Sequence, residues 1–238
     1  MVLQGKRLLI TGGSKRVGLM IAAHMAKAGC SILLHARTPE DAQRAVDSLP
    51  GNGHRMIYGD LSKAEDVEYI CRQAGEFDLL VNNAAIFHRP GSAEDMGAAE
   101  LYRQINFLAP KRLLEYFFDQ KDVKEGAAVN ITDAFALLPG QGAYWQSKCD
   151  LNELTRELAP KWAERRFRIN AVAPGPMLPP PWAPDSRMEK ILLQLPLGRR
   201  IAVEDTVEMV KILLQSDSMT GAIVPVDGGI STGAGKCR

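Results

Sequence analysis

The chain has 238 residues, of which 46% are hydrophobic and 24% charged, as is ordinary for a soluble globular protein. Its formal net charge of +1 excludes a general attraction to nucleic acid or to an anionic membrane, and no stretch approaches the roughly 20 apolar residues that span a bilayer. The four cysteines and four histidines lack the spacing of metal ligands, so we predict reduced thiols, a cytoplasmic location and no metal.

Apolar, β-rich runs alternate with helical patterns along the chain, an order typical of stacked βαβ units and a parallel sheet. Strands are predicted at residues 7–11, 31–36, 55–59, 78–82, 127–132, 168–172 and 222–226. Helices are predicted at residues 17–28, 93–120 with an interruption near Pro110, 144–165, 185–194 and 203–215, and two more open at Thr38 and Ser62. Thr38 is expected to cap its helix, and Ser62 to form a capping box with Glu65. We predict one α/β domain over residues 1–238.

A glycine-rich turn joins the first strand to the first helix, at Thr11-Gly12-Gly13-Ser14-Lys15-Arg16-Val17-Gly18. In such a turn, backbone N–H groups and the helix N-terminus face a pyrophosphate, and Gly12, Gly13 and Gly18 permit the close approach. Ligands of parallel sheets bind beyond the carboxyl ends of the strands, where Asp60, Asn82 and Asn83 are expected either as contacts or as turn formers. The pattern predicts a dinucleotide site.

The residues after the second strand indicate which nicotinamide coenzyme the site takes. Enzymes that bind NAD commonly place a carboxylate there for the ribose 2′-hydroxyl, but residues 34–38 contain no acid. Lys15, Arg16 and Arg37 are available instead, and cations suit a 2′-phosphate. Unless these three are ordinary surface charges, the sequence predicts NADPH/NADP+ as coenzyme and a reductive direction.

Tyr144 and Lys148 lie four residues apart, which places them on one face of a predicted helix. A cation beside a phenol favours the phenolate, so Lys148 is expected to lower the pKa of Tyr144 towards working pH. A phenol poised in this way is a suitable general acid. Because a YxxxK pattern also occurs by chance on amphipathic helices, its meaning depends on the other landmarks of the chain.

These landmarks stand in the order and at the spacing of the short-chain dehydrogenase/reductase family. They are Thr11 to Gly18, Asp60-Leu61, Asn82-Asn83-Ala84-Ala85, Asn106, Tyr144 with Lys148, Pro174-Gly175 and Val226-Asp227-Gly228-Gly229. The chain resembles this family over essentially its whole length. The resemblance implies a Rossmann-type, doubly wound parallel sheet of about seven strands with helices on both faces, a substrate loop with small helices at about residues 174–215, and a homotetramer.

The resemblance also implies roles for individual residues. Tyr144 would be the acid, Lys148 would bind the nicotinamide ribose, and Asn106 would hold a water of the proton relay. Asp60 would contact the adenine. The coenzyme contacts as a set would be Gly12, Ser14, Lys15, Arg16, Val17, Gly18, His35, Arg37, Asp60, Leu61, Asn83, Ala84, Ala85, Tyr144, Lys148, Pro174 and Gly175.

Two departures from the family pattern narrow the subfamily. Arg16 replaces the usual third glycine of the turn, a variant that resembles the pteridine and dihydromonapterin reductases. At the end of the fifth strand, Asp133 stands where the family has its catalytic serine. Because strand side chains alternate, Thr132 would point away if Asp133 points into the site. The loop from this position to Tyr144 is short, however, so the Thr132 hydroxyl remains an alternative replacement for the catalytic serine.

The aspartate and two aromatic residues indicate the substrate. An ionised carboxylate only accepts hydrogen bonds, which suits a substrate with N–H groups or a ring nitrogen awaiting a proton, as in a pterin. Pteridine reductases resemble this chain in that aspartate, in an aromatic residue at the position of Phe87 that stacks on the pterin, and in a proline-tryptophan segment at Trp182. Some pteridine reductases differ from this chain in having a serine at the position of Ala85. Alternatively, Phe87 and Trp182 only pack their loops.

The sequence therefore predicts an NADPH-dependent reductase that acts on a small, dihydropterin-like substrate. The catalytic residues would be Tyr144, Lys148, Asp133 and Asn106, and the substrate contacts would be Phe87, Asp133, Tyr144 and Trp182. One alternative is a carbonyl reductase for a 3-oxoacyl thioester or small ketone, with Thr132 as the hydroxyl donor. Another is a redox sensor that binds NADP(H) without turnover.

Overall fold

Seven parallel strands form the centre of the fold. The computed structural model describes residues 1–180, 182, 189 and 195–233. The strands are β1 (Arg7–Ile10), β2 (Ser31–Ala36), β3 (Arg55–Tyr58), β4 (Leu79–Asn82), β5 (Gly126–Ile131), β6 (Phe167–Pro174) and β7 (Ile223–Val226). They pair in the order β3-β2-β1-β4-β5-β6-β7. The order reverses between β1 and β4, which is the switch point where doubly wound folds bind ligands.

Helices cover both faces of the sheet and bury a separate core on each. Those described are α1 (Arg16–Lys27), α2 (Pro39–Asp47), α3 (Ala64–Ala74), α4 (Ala93–Met96), α5 (Ala99–Arg103), α6 (Ala109–Asp119), α7 (Ala143–Ala163) and α8 (Val203–Gln215). Leu8 and Ile10 of β1 pack in the core under α1 and α8, whereas Leu9 packs in the core under α3, α6 and α7. Side chains alternate along a strand, so one strand feeds both cores. The predicted doubly wound α/β fold is confirmed.

Helix starts follow the local capping chemistry in one predicted case and not in the other. Thr38 Oγ1 accepts from the Asp41 N–H at 3.3 Å and caps α2, as predicted. The capping box predicted at Ser62 is wrong, because α3 begins at Ala64 and its N-cap residue makes no side-chain hydrogen bond. The Asp60 carboxylate accepts from the Ser62 N–H at 2.9 Å and holds that segment in a turn before the helix.

The helical region predicted at residues 93–120 is divided differently from the expectation. It contains α4, α5, a π-helical turn at Gln104–Leu108, and α6. Pro110 lies in the first turn of α6, directly after the π-helical turn, so the irregular backbone lies just before this proline. The helix predicted at 185–194 falls outside the described residues. No helix within the described part of the chain is both long and apolar enough to cross a membrane.

Arg168 is a buried cation on β6 that closes the end of α8. It is 8% exposed, and its guanidinium donates to the carbonyls of Leu213 and Leu214. We expect Arg168→Met to lower the free energy of unfolding by about 2–4 kcal/mol, because two buried acceptors lose their donors at about 1–3 kcal/mol each. Urea unfolding measures this loss. Arg168→Lys keeps a donor and should lose less, and an equal loss in both variants would contradict the role of the paired bonds.

Candidate active site

The predicted site residues come from separate strands and meet at one edge of the sheet. Thr11 follows β1, Arg37 follows β2, Asp60 follows β3 by one residue, Asn83 follows β4 and Asp133 lies just beyond β5. Because the strands are parallel, their carboxyl ends share this edge. Among the described residues, no group of three or more histidine, cysteine, aspartate or glutamate side chains is arranged to hold a metal ion.

The glycine turn is closed by backbone contacts that leave no room for a side chain. Gly12 has φ 62°, and a Cβ added to Gly18 would lie 2.2 Å from the Gly12 carbonyl oxygen. The Asn83 amide donates to the carbonyls of Thr11 and Gly12 at 2.9 and 3.1 Å. In return, Thr11 Oγ1 accepts from the N–H groups of Asn83 and Ala84 at 3.0 and 3.1 Å. These bonds lock the turn after β1 to the end of β4.

Arg16 connects this turn to the predicted substrate loop. Its backbone has φ 52°, a left-handed conformation that is uncommon for residues with a side chain. Its guanidinium donates to the Pro179 carbonyl at 2.8 Å. Lys15, the N-cap residue of α1, makes no side-chain hydrogen bond to the helix, so it leaves the first N–H groups of α1 for another acceptor. Both cations are exposed.

His35 was expected to contact the coenzyme, but its side chain is turned into the protein. It is 3% exposed, Nδ1 accepts from the Gly12 N–H at 3.2 Å, and Nε2 lies 3.0 Å from the Gly59 carbonyl oxygen. Because the first bond uses Nδ1 as acceptor, Nε2 carries the proton and donates to Gly59. Burial lowers the pKa of His35 to about 4, although the bond to Gly59 and the charge of Asp60 act to raise it. The imidazole is neutral and braces the turn from within.

Arg37 and Asp60 lie close together at the ends of β2 and β3. Burial acts to raise the pKa of Asp60, but hydrogen bonds from Ser62 and the charges of Arg37 and Lys63 outweigh it and lower the pKa. Asp60 is therefore ionised, and Arg37 is exposed beside it. The predicted coenzyme residue Leu61 has its side chain in the core, so its backbone is the part near this edge.

Tyr144 and Asp133 form a hydrogen-bonded pair. The phenol donates to Asp133 Oδ2 at 2.8 Å, while Oδ1 accepts from the Phe135 N–H at 2.8 Å. Burial raises the pKa of Asp133 despite the bonds from Phe135 and Tyr144 and the charge of Lys148. Burial and the Asp133 charge also raise the pKa of Tyr144 well above its usual value. The pair therefore keeps a proton on the phenol at neutral pH.

Lys148 lies one turn after Tyr144 on α7 and is 3% exposed. Its ammonium donates to the Ile131 carbonyl at 2.9 Å. Burial lowers the pKa of Lys148 to about 8, against the opposing charge of Asp133. The prediction that Lys148 gives Tyr144 a lowered pKa is wrong for this structure. The reason is that burial penalises the phenolate and Asp133 brings a negative charge into contact with the phenol.

Thr132 points away from the pair, as strand alternation predicts for a neighbour of Asp133. It is 5% exposed, and its hydroxyl donates to the Val172 carbonyl at 3.2 Å. The geometry thus places the carboxylate of Asp133, and not the hydroxyl of Thr132, beside Tyr144.

Asn106 ties the segment after β4 to the helix that carries Tyr144. It lies in the π-helical turn and is 1% exposed. Its Oδ1 accepts from the Ile86 N–H at 2.9 Å, and its Nδ2 donates to the Ile86 carbonyl and to Ser147 Oγ, both at 3.2 Å. Single π-turns are frequent at functional sites. The side chain holds two parts of the site in register, and its role with a relay water stays a prediction.

Three aromatic residues, Phe87, Tyr102 and Trp182, form an aromatic wall around Tyr144. The centroid of the Phe87 ring lies 4.6 Å from the centroid of the Tyr144 ring and 5.8 Å from that of the Trp182 ring. The Trp182 indole donates to the Phe87 carbonyl at 3.3 Å. The Tyr102 ring packs edge-on against the Tyr144 ring, with 5.8 Å between the two ring centroids. Phe87 is 40% exposed and is not a core anchor.

Comparisons with known proteins identify the family. A family model described as enoyl-(acyl carrier protein) reductase matches residues 13–231. The L-xylulose reductase of Bos taurus is 30% identical in an alignment that covers 95% of this chain and 97% of that protein. The chain belongs to the short-chain dehydrogenase/reductase family. It is an oxidoreductase of that family.

Other members of the short-chain family are comparably similar. Carbonyl reductase family member 4 of Danio rerio is 31% identical in an alignment that covers 93% of this chain and 96% of that protein. The crystal structure of FolM alternative dihydrofolate reductase 1 from Brucella canis, complexed with NADP, superposes with a TM-score of 0.87 at 28% identity. That superposition covers 97% of this chain and 96% of the FolM chain.

Sequence reasoning missed several residues that shape this short-chain dehydrogenase/reductase site. Ser147 and Tyr102 were not singled out, because a serine and a tyrosine at helical positions carry no local signal of a site. Thr11 stood inside the glycine motif, and its two bonds to the β4 segment could have been suspected from that position. At the remaining predicted positions, Pro174 ends β6, and the Gly175 N–H donates to the Val226 carbonyl at 3.0 Å.

Proposed function

We propose that this chain is an NADP(H)-dependent reductase in which Tyr144 supplies a proton and Asp133 binds the substrate. The observation that carries the proposal is the 2.8 Å bond from the Tyr144 hydroxyl to Asp133. A phenol kept protonated at neutral pH can serve as a general acid. The carboxylate beside it can accept hydrogen bonds from a substrate that presents N–H groups. A sensor that never turns over would have no use for this pair.

The residues at the edge of the sheet fit a dinucleotide with a 2′-phosphate. The Gly12–Gly18 contact closes the turn so tightly that a phosphate can approach the first N–H groups of α1. Lys15, Arg16 and Arg37 are exposed cations at the same edge. NADP in the FolM complex from Brucella canis supports this coenzyme.

When bound, NADPH supplies a hydride. In this proposal Asp60 contacts the adenosine, Arg37 the 2′-phosphate, and Lys148 the nicotinamide ribose. Ser14, Val17, Asn83, Ala84, Ala85, Pro174 and Gly175 complete the contact set. Asn106 holds the segment at Ile86 in place and, through it, the neighbouring aromatic wall.

The chemistry of the pocket favours a flat nitrogen heterocycle such as a dihydropterin. The exposed face of Phe87 and the indole of Trp182 provide stacking surfaces, and a stacked pair adds roughly 0.5–1.5 kcal/mol beyond burial. Asp133 faces the same space as the Tyr144 hydroxyl. The FolM structures carry the name alternative dihydrofolate reductase 1, and dihydrofolate contains a pteridine ring.

Carbonyl reduction is the second candidate, because L-xylulose reductase and a carbonyl reductase are among the relatives. In this candidate Thr132 would donate to the substrate oxygen, but its hydroxyl is bonded to Val172. NADPH oxidation distinguishes the candidates when dihydropterins, dihydrofolate, a 3-oxoacyl thioester and small ketones are compared as substrates. Fastest turnover of a dihydropterin supports the proposal, and fastest turnover of ketones favours carbonyl reduction. Tight NADPH binding without any turnover would favour a sensor.

The coenzyme proposal makes a prediction about Arg37. Arg37→Ala should raise the KM for NADPH about tenfold or more and leave the KM for NADH nearly unchanged, since it removes a charge-assisted contact to the 2′-phosphate. Steady-state kinetics with both coenzymes measure this. Arg44→Ala is the matched control, because Arg44 is an exposed arginine on α2 whose partner is Asp41. Equal changes for NADPH and NADH in Arg37→Ala would contradict the assignment.

A further inference from the structure

Two histidines make the same pair of bonds at opposite ends of β2. His54 Nδ1 accepts from the Ile32 N–H at 3.0 Å, and its Nε2 lies 3.0 Å from the Pro50 carbonyl oxygen. His35 does the same with Gly12 and Gly59. The pair at His54 lies at the start of the strand, away from the site. The pair at His35 lies at the carboxyl edge, between the glycine turn and the end of β3.

The hydrogen bonds to His35 orient the backbone N–H groups of the glycine turn. The Gly12 N–H points to Nδ1, and the next N–H, that of Gly13, donates to the His35 carbonyl at 2.9 Å. Both amides are therefore directed into the protein, towards one residue. The Cβ of an alanine at Gly13 would lie 2.9 Å from Leu34, so the turn sits directly on β2. With its first two amides fixed, the chain enters α1 in one orientation.

The second bond of His35 reaches the adenosine side of the site. Nε2 donates to the Gly59 carbonyl, immediately before Asp60. One neutral side chain thus connects the turn that would face the pyrophosphate with the segment that would face the adenine. Protonation would break the first bond, because Nδ1 would then face the Gly12 N–H as a second donor. The low pKa of His35, set by its burial, prevents this at neutral pH.

We propose that His35 is a positioning residue for the coenzyme, which acts without touching it by fixing the glycine turn through Gly12. The inference rests on the proposed function, since it requires that NADP(H) binds at this edge. Its expected signature is a weaker coenzyme affinity on loss of the Gly12 bond, with little change on loss of the Gly59 bond alone.

Two substitutions separate the bonds. In His35→Asn the side-chain oxygen stands near the position of Nδ1 and can still accept from Gly12, whereas the reach to Gly59 is lost. In His35→Gln the amide nitrogen stands near the position of Nε2 and can still donate to Gly59, but the acceptor for Gly12 is lost. His54→Asn and His54→Gln remove the corresponding bonds at the other end of β2 and are the matched controls.

NADPH affinity is measured by fluorescence titration, and folding by urea unfolding of the same samples. We expect His35→Gln to weaken NADPH binding about tenfold, or about 1.4 kcal/mol. His35→Asn and both His54 variants should bind within about twofold of the wild-type affinity, or within about 0.4 kcal/mol. Equal NADPH affinities of His35→Gln and His35→Asn would overturn the inference, as would an equal weakening by His54→Gln.

The controls also separate this inference from the proposed function. If the wild-type protein does not bind NADPH at all, the proposed function fails first. If the wild type binds and His35→Gln binds equally well, only the role of His35 fails. Should His35→Gln not fold, His35→Asn decides: wild-type affinity supports the Gly12 bond as the determinant, and a tenfold loss overturns it.

Discussion

Tyr144→Phe is expected to lower kcat by about 10²–10⁴, the usual contribution of a positioned general acid. The substitution keeps the ring that packs against Phe87 and Tyr102 and removes only the hydroxyl that donates to Asp133. NADPH affinity should change little, because the ring and Lys148 remain. Stopped-flow measurement of NADPH oxidation separates the chemical step from product release.

Tyr69→Phe is the control for this experiment. Tyr69 is an exposed tyrosine on α3 whose hydroxyl meets that of Tyr58, and its loss should leave kcat unchanged. Urea unfolding of Tyr144→Phe shows whether a loss of activity reflects a loss of structure. A fully folded Tyr144→Phe variant with the wild-type kcat would show that the proton comes from another group.

Asp133→Ser is expected to change the substrate preference from dihydropterins to ketones. Dihydropterin turnover should fall by about 10² or more, because the carboxylate that accepts substrate N–H groups is removed. Ketone turnover should rise, since a serine can donate to a carbonyl oxygen at neutral pH. Thr132→Ala is the matched control. It removes a bond to Val172, so it should cost about 1 kcal/mol of stability and leave the substrate preference unchanged.

The pH profile gives a second signature of Asp133. Burial and the Asp133 charge both raise the pKa of Tyr144. Without the neighbouring charge the phenol ionises at lower pH, so the alkaline limb of kcat/KM should move to lower pH in Asp133→Ser and in Asp133→Asn. Measuring kcat/KM from neutral to alkaline pH tests this. An alkaline limb that stays in place would show that Asp133 does not control the ionisation of Tyr144.

A Thr132→Ala variant that loses all turnover would favour the carbonyl reductase instead.

The sequence indicated the sheet and its active edge because both depend on local patterns. The apolar run of β4 and the glycines after β1 report burial and turn geometry through neighbouring residues, and a parallel order then brings all the carboxyl strand ends together. The same patterns could not place the π-helical turn within residues 93–120, where the Asn106 side chain bonds to Ile86 and Ser147 from other segments. Nor could they show that Asp60 holds Ser62 in a turn before α3.

The sequence by itself determined the family and the parallel α/β fold, and it predicted candidate residues for the site. Only the tertiary structure decided what those residues do to one another. Tyr144 and Lys148 are close in sequence on α7, yet the pKa of the phenol is governed by burial and by Asp133, which lies just beyond β5. His35 likewise turns inward to Gly12 and Gly59. Electrostatic and hydrogen-bond energies depend on distance and on exclusion of water, and both are set by packing between distant segments.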